Sequence, residues 1–243
     1  MSADLDLALR LADAADAIAL PRFRTELAIE TKPDRTPVTE ADRDVESELR
    51  RLLADERPDD AILGEEGGAA GGGARRWILD PIDGTRNYAR GIPVWATLVA
   101  LEEQGAVTVG VVSAPALARR WWAERNAGAF ANGEAIHVSS IATIEEAVLS
   151  FAIEQRIPEL AQRAWHPRGL GDFWAGMLVA EGAVDGAIDA VGLKEWDLAS
   201  VQVIVEEAGG RFSDFAGEAR IDSGTAVISN GLLHDELLAA VAA

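Results

Sequence analysis

Asp80 and Asp83 stand three residues apart in Asp80-Pro81-Ile82-Asp83-Gly84-Thr85, directly after the apolar run Trp77-Ile78-Leu79. That run predicts a short buried strand delivering Asp80 into a turn. Pro81 fixes its own φ and keeps Asp80 extended, while Gly84 permits a tight turn, so the two carboxylates can converge. The Ile82 carbonyl between them is a further oxygen donor. Two other acidic stretches, Gly64-Glu65-Glu66 and Trp196-Asp197, extend the set without cysteine or a dedicated histidine. Carboxylate and carbonyl oxygens are the ligands a hard cation such as Mg²⁺ takes, with substrate phosphate completing its shell. Together the three stretches predict a divalent-metal site suited to phosphate-ester hydrolysis.

The residues that are missing narrow the chemistry. No cysteine is present, no Ser-His-Asp arrangement attaches to a motif, and His137, His166 and His234 occur singly. A carboxylate already committed to metal is a poor nucleophile, so water attacks directly. Gly84 and Thr85 open a short predicted helix whose backbone N–H groups would face the phosphate.

Each candidate also has an ordinary structural reading. Asp83-Gly84 is a common turn pair. Thr39 to Asp42 fits a helix cap, and Asp197 and Asp172 both suit a helix N-terminus. Glu66 reads as an outer or surface group. The glycine cluster 67–73 lacks the ending of a phosphate loop and reads as a flexible connection.

Periodicity supplies the elements that must position these groups. Leu5, Leu9, Ala12, Asp16 and Ile18 to Leu20 predict an opening amphipathic helix that Pro21 ends or bends, and Val45, Leu49, Leu52 and Leu53 predict a second, stopped near Pro58. Ala61-Ile62-Leu63 reads as the strand that delivers Glu65. Segments 94–102 and 106–112 read as an antiparallel pair, continued by 120–123 and 128–131. After Ser139 the pattern alternates: strand 148–152, helix 172–181, strand 184–189, helix 197–208, strand 225–229, helix 232–241. Alternation of this kind predicts an α/β layer with a mixed sheet. Two domains follow, 1–139 with an antiparallel sheet and most of the ligands, and 140–243 supplying Asp197 and the specificity residues. The site then lies in the cleft between them.

The motifs, in this order, resemble the Mg²⁺-dependent, Li⁺-sensitive inositol monophosphatase superfamily, whose pattern is Gly-Glu-Glu, Asp-Pro-Ile/Leu-Asp-Gly-Thr and Trp-Asp. The likeness runs from Asp16 through Leu238, with Val38-Thr39-Glu40-Ala41-Asp42 upstream and Glu206-Glu207-Ala208-Gly209-Gly210 downstream. The resemblance implies a layered αβαβα sandwich of the sugar-phosphatase-like type, combining α+β and α/β parts, and a homodimer. Carried over by position, it implies that Glu65, Asp80, the Ile82 carbonyl, Asp83 and Asp197 ligate metal and that Thr85 with Asp42 holds the attacking water. Two or three Mg²⁺ ions per site are implied, one shared by Glu65 and Asp80, one held by Asp80, Asp83 and Asp197. Lys32 falls near the family's mobile lysine.

Within the superfamily, segment 87–98, Ser113-Ala114-Pro115 and Gly171-Asp172-Phe173-Trp174 are most similar to the bacterial histidinol-phosphatase branch. That implies L-histidinol phosphate as substrate, in histidine synthesis. Asp172 beside aromatic Phe173 and Trp174 suits an ammonium and an imidazole. Asp189 matches an acidic substrate-binding position, and Glu195 competes with it because segment 190–195 is one residue longer than in inositol enzymes. Inositol monophosphate and adenosine 3′,5′-bisphosphate are the alternatives, the latter needing more cationic groups than scattered Arg90, Arg119 and Arg168. A non-catalytic metal- or phosphate-binding protein is the alternative from another class, and it would have no use for Thr85 and Asp42.

Composition sets outer bounds. A formal charge of −19 over 243 residues argues against nucleic acid and against an anionic membrane surface. Without cysteine there is no disulfide framework, the N-terminus is acidic, and no apolar run reaches membrane-spanning length. Cytoplasm is the expected setting, with a small phosphorylated molecule as partner.

Overall fold

The computed structural model describes residues 1–25, 29–31, 37–152 and 158–241. Helix α1 (Ala3–Arg22) starts where the Ser2 hydroxyl accepts from the Leu5 N–H and ends one residue after Pro21. The paired strands β1 (Ile29–Thr31) and β2 (Pro37–Thr39) lead into α2 (Glu40–Glu56). Then follow β3 (Ala61–Gly64), β4 (Gly68–Ala70), β5 (Arg75–Asp83), α3 (Thr85–Ala89), β6 (Ala96–Glu103), β7 (Ala106–Ala114), β8 (Arg119–Glu124), β9 (Ala129–Ala131) and β10 (Glu134–Ala135). The remainder is β11 (Val148–Ala152), α4 (Pro158–Arg163), β12 (His166–Arg168), α5 (Asp172–Ala180), β13 (Gly186–Asp189), α6 (Glu195–Glu207), β14 (Arg211–Ser213), β15 (Ala226–Ser229) and α7 (His234–Val241).

An eight-stranded sheet runs β10-β9-β8-β7-β6-β5-β3-β4, antiparallel except where β3 lies parallel to β5. A five-stranded mixed sheet runs β12-β11-β13-β15-β14. Helices α1 and α2 cover the outer face of the large sheet, α5 and α6 lie between the sheets, and α7 closes the small sheet. This is the expected αβαβα layering. The middle layer joins residues of both sheets in one apolar cluster, from Leu63 and Ile78 to Val203 and Ile228. Burying a side chain such as Leu49 of the outer cluster contributes about 1.5–3 kcal/mol. No helix among the described residues is long and apolar enough to cross a membrane.

Two expectations are corrected here. Asp80 does not leave its strand: β5 continues to Asp83, and its pairing with β6 shifts from Asp80↔Leu98 to Asp83↔Ala96. Three steps on β5 thus oppose two on β6, a bulge that accommodates Pro81, which has no N–H for the ladder. Thr97 Oγ1 closes the gap by donating to the Pro81 carbonyl at 2.8 Å. The extra residue also changes direction. In a regular strand, residues three apart point to opposite faces. The bulge brings Asp80 and Asp83 to one side. The second correction concerns the glycine cluster 67–73, which contains β4, paired antiparallel to β3.

Candidate active site

Asp80, Asp83 and Asp197 each offer a carboxylate oxygen, and the three atoms lie within 4.8 Å of one another. β5 supplies the first two. Asp197 comes from the third position of α6, which begins at Glu195, two residues before the expected start. Its Oδ2 accepts the Lys194 N–H at 2.6 Å, so the capping role and a place in the cluster coexist in one carboxylate. Gly84 follows with φ 81°, and a Cβ there would meet the Val94 carbonyl at 3.0 Å. That left-handed turn starts α3 at Thr85, immediately after the second acid of β5 and its glycine.

Crowding like charges in a dry place is unfavourable unless something neutralises them. Burial, then Glu65, Asp83 and Asp197, push the Asp80 carboxyl well above its ordinary range. Asp83 is raised chiefly by burial and then by Asp172 and Asp197. Asp197 is raised to about 7, again mostly by burial. Asp80 Oδ1 is buried and has no hydrogen-bond partner among the described residues. An all-oxygen donor set with a buried oxygen left over fits a hard divalent cation.

Beside the cluster, Thr85 Oγ1 lies 3.2 Å from Asp42 Oδ1 and 2.9 Å from the Ile82 carbonyl. Asp42 is fully buried on α2, and its other oxygen accepts from the Thr39 N–H at 2.9 Å and the Thr39 hydroxyl at 2.5 Å. The helix cap foreseen for Thr39 and Asp42 therefore forms, and it leaves Oδ1 facing Thr85. Burial raises the Asp42 carboxyl.

The inositol monophosphatase family model matches residues 2–243. The chain belongs to the inositol monophosphatase family. It is 50% identical to a protein of Mycobacterium tuberculosis named histidinol-phosphatase, covering 97% of this chain and 96% of that one. A histidinol-phosphatase of Streptomyces coelicolor is 48% identical over 97% of this chain and 95% of its own. Among solved structures, the extragenic suppressor protein suhB of Bartonella henselae superposes with a TM-score of 0.92 at 28% identity, covering 99% and 98% of the two chains. The family is metal-dependent, in keeping with the acidic cluster.

Next to Asp83, Asp172 opens α5 with φ 55°, in the left-handed region that Asp tolerates better than most side chains. That conformation aims the Phe173 N–H at Asp83 Oδ2, 2.5 Å away. Asp172 Oδ2 accepts from Asn87 Nδ2 at 3.1 Å. Asp189 ends β13 and accepts the Val191 N–H at 3.0 Å; burial raises it to about 6, with Asp172 adding to the rise. Asp172 and Asp189 thus share one electrostatic neighbourhood with the cluster.

Two expected features turn elsewhere. Glu195 does not turn toward the cluster: it accepts from Arg76 at 2.8 Å and lines a separate cavity of about 440 Å³, because two residues of helix place it well round the axis from Asp197. Of the aromatic pair, one ring turns inward and the other is half-buried. Phe173 is buried in the central cluster, and Trp174 packs on it and on Trp121. Lys32 lies outside the described residues.

Sequence reasoning missed Asn87, which ties α3 to Asp172, and the Phe173 N–H on Asp83. A backbone donor leaves no trace in residue type. Asn87 sits three residues beyond Gly84 in a one-turn helix, and that spacing was the available signal.

Proposed function

We propose that the protein is a Mg²⁺-dependent phosphomonoesterase that hydrolyses L-histidinol phosphate to L-histidinol and phosphate. The observation that carries the reaction is the convergence of Asp80, Asp83 and Asp197 beside the Asp42–Thr85 pair. Full-length identity near one half with proteins named histidinol-phosphatase supports the substrate. On this reading Glu65, Asp80, the Ile82 carbonyl, Asp83 and Asp197 hold the metal. When bound, Mg²⁺ supplies charge neutralisation and activation of water.

The chain's own residues do the rest. Thr85 accepts a proton from the attacking water at Oγ1 and passes its own to Asp42 Oδ1, whose burial makes it a better base than an exposed aspartate. Backbone N–H groups at Gly84 and Thr85 orient the phosphate. Asp172 and Asp189 face the ammonium and imidazole end, a pairing that a neutral polyol does not need. Segments 1–139 and 140–243 serve as the two walls of the cleft. The chain works in the cytoplasm as a homodimer, without nucleic acid or membrane as partner.

The test is phosphate release from histidinol phosphate, inositol 1-phosphate and adenosine 3′,5′-bisphosphate, with Mg²⁺ and after chelation, in the native chain and in Asp172→Ala. A Mg²⁺-dependent preference for histidinol phosphate, lost in Asp172→Ala while a generic aryl phosphate is still cleaved, is the expected result. Preference for another ester would discard the substrate, and no metal-dependent hydrolysis would discard the reaction.

A further inference from the structure

Helix α2 buries a second carboxylate one turn beyond Asp42. Glu46 is 2% exposed, yet it lies on the face that otherwise carries Ala41, Val45, Leu49 and Leu53. Its Oε2 accepts the Glu66 N–H at 2.7 Å, and its Oε1 accepts the Gly67 N–H at 2.8 Å. Arg50 Nε donates to the same Oε1 at 2.7 Å, and the Arg50 guanidinium reaches on to the Gly68 carbonyl. On the other side, the Glu65 N–H donates to the Leu79 carbonyl of β5 at 3.2 Å. Three successive backbone N–H groups, from Glu65 to Gly67, are thereby fixed by two elements that also carry site residues, β5 with Asp80 and α2 with Asp42.

The neighbouring glycines are shaped to this carboxylate. A Cβ on Gly64 would lie 2.4 Å from Glu46 Oε1, and one on Gly67 would lie 2.8 Å from it. Any side chain at either position would displace Glu46. Glycine on both sides of Glu65-Glu66 therefore lets the backbone wrap a buried acid, a reason distinct from turn geometry.

We infer that Glu46 is a positioning residue: it sets the backbone of the Glu65 segment and so the place from which Glu65 reaches the cluster. Outer partners of metal ligands hold orientation in this way, and losing one commonly costs on the order of 10- to 100-fold in metal affinity. The inference rests on the reading of Glu65 as a metal ligand. In Glu46→Gln the amide nitrogen cannot accept an N–H, so one of the two backbone donors loses its partner.

The experiment is calorimetric titration of chelator-treated protein with Mg²⁺ for the native chain, Glu46→Gln, Gly67→Ala and Glu65→Gln, with the thermal midpoint of each in excess chelator. Weakening of about tenfold in both Glu46→Gln and Gly67→Ala, and at least as much in Glu65→Gln, is the expected result. Gly67→Ala keeps the carboxylate and displaces it together with the Arg50 guanidinium, whose Nε would lie 2.9 Å from the new Cβ, so it decides the matter if Glu46→Gln does not fold. A lowered thermal midpoint with Mg²⁺ affinity within about twofold of native would reduce Glu46 to a structural role and overturn the inference. Unchanged affinity in Glu65→Gln would overturn the ligand reading itself, and the inference with it.

Discussion

Glu195 and Asp197 lie two residues apart at the start of α6 and meet opposite surroundings. Glu195 shares Arg76 with Glu102, and farther along the helix Glu206 pairs with Arg125 at 2.6 Å. Asp197 meets Asp80 and Asp83 instead, and among the described residues none of these three forms an ion pair with lysine or arginine. The first region is acidic in composition and neutralised in place. The second keeps its charge problem unsolved, with raised carboxyls and a buried oxygen lacking a partner. What separates the cluster from the paired acids of α6 is thus the absence of internal counter-charge among the described residues.

Removing an acid from the second region gives the largest expected effect. Asp80→Asn lowers phosphate release by more than roughly 100-fold, beyond the loss typical of an outer partner, and raises the thermal midpoint in chelator at alkaline pH by removing a buried charge. Steady-state rates and unfolding scans check both. A lower midpoint would break the comparison.

The pH dependence comes next. The cluster carboxyls are raised, Asp197 from its ordinary 3.8 to about 7, so between these values the folded state binds more protons than the unfolded one. The stability they contribute is present at low pH and is lost as pH rises through that window. Metal-free protein therefore melts lower as pH climbs from 4 to 7, and the added stabilisation by Mg²⁺ grows. His234 works with the opposite sign: burial between Ser213 and Ser229 lowers it to about 4, so its contribution fades as the medium turns acid. Asp80→Asn flattens the Mg²⁺-sensitive slope and leaves the His234 part.

Gly84→Ala is smaller. At φ 81°, with the Val94 carbonyl 3.0 Å from any Cβ, it costs about 1–2 kcal/mol in denaturant unfolding. Smallest is Arg76→Met in the paired region. Its partly exposed bridges predict a loss of no more than about 1 kcal/mol and unchanged Mg²⁺ affinity. A large fall in affinity would mean that the two regions are not independent.

The convergence of Asp80, Asp83 and Asp197 was legible because their residue types are restrictive: they come with glycine, proline and tryptophan at fixed offsets. The mixed sheet followed from the change of pattern after Ser139, and the full layering from the family resemblance. The β5 bulge was not legible, since Pro81 suggested a turn and only pairing with β6 reveals the strand continuing. Glu195 was misplaced for a similar reason. Sequence put the start of the helix at Asp197, whereas α6 begins at Glu195, and two residues of helix turn Glu195 well round the axis to meet Arg76. Glu46 escaped notice because an acid on a helix is ordinarily exposed, and its burial depends on the backbone of residues 66 and 67 folding around it.

Calorimetric titration of the chelator-stripped chain with Mg²⁺, in two buffers of different protonation enthalpy and near pH 6.5, tests the central claim most directly. Raised carboxyls must shed protons when the cation arrives, so binding is predicted with net proton release into the buffer, abolished in Asp80→Asn and intact in Arg76→Met. Binding without proton release, or binding that survives Asp80→Asn unchanged, would contradict the assignment of Asp80, Asp83 and Asp197 as the metal centre.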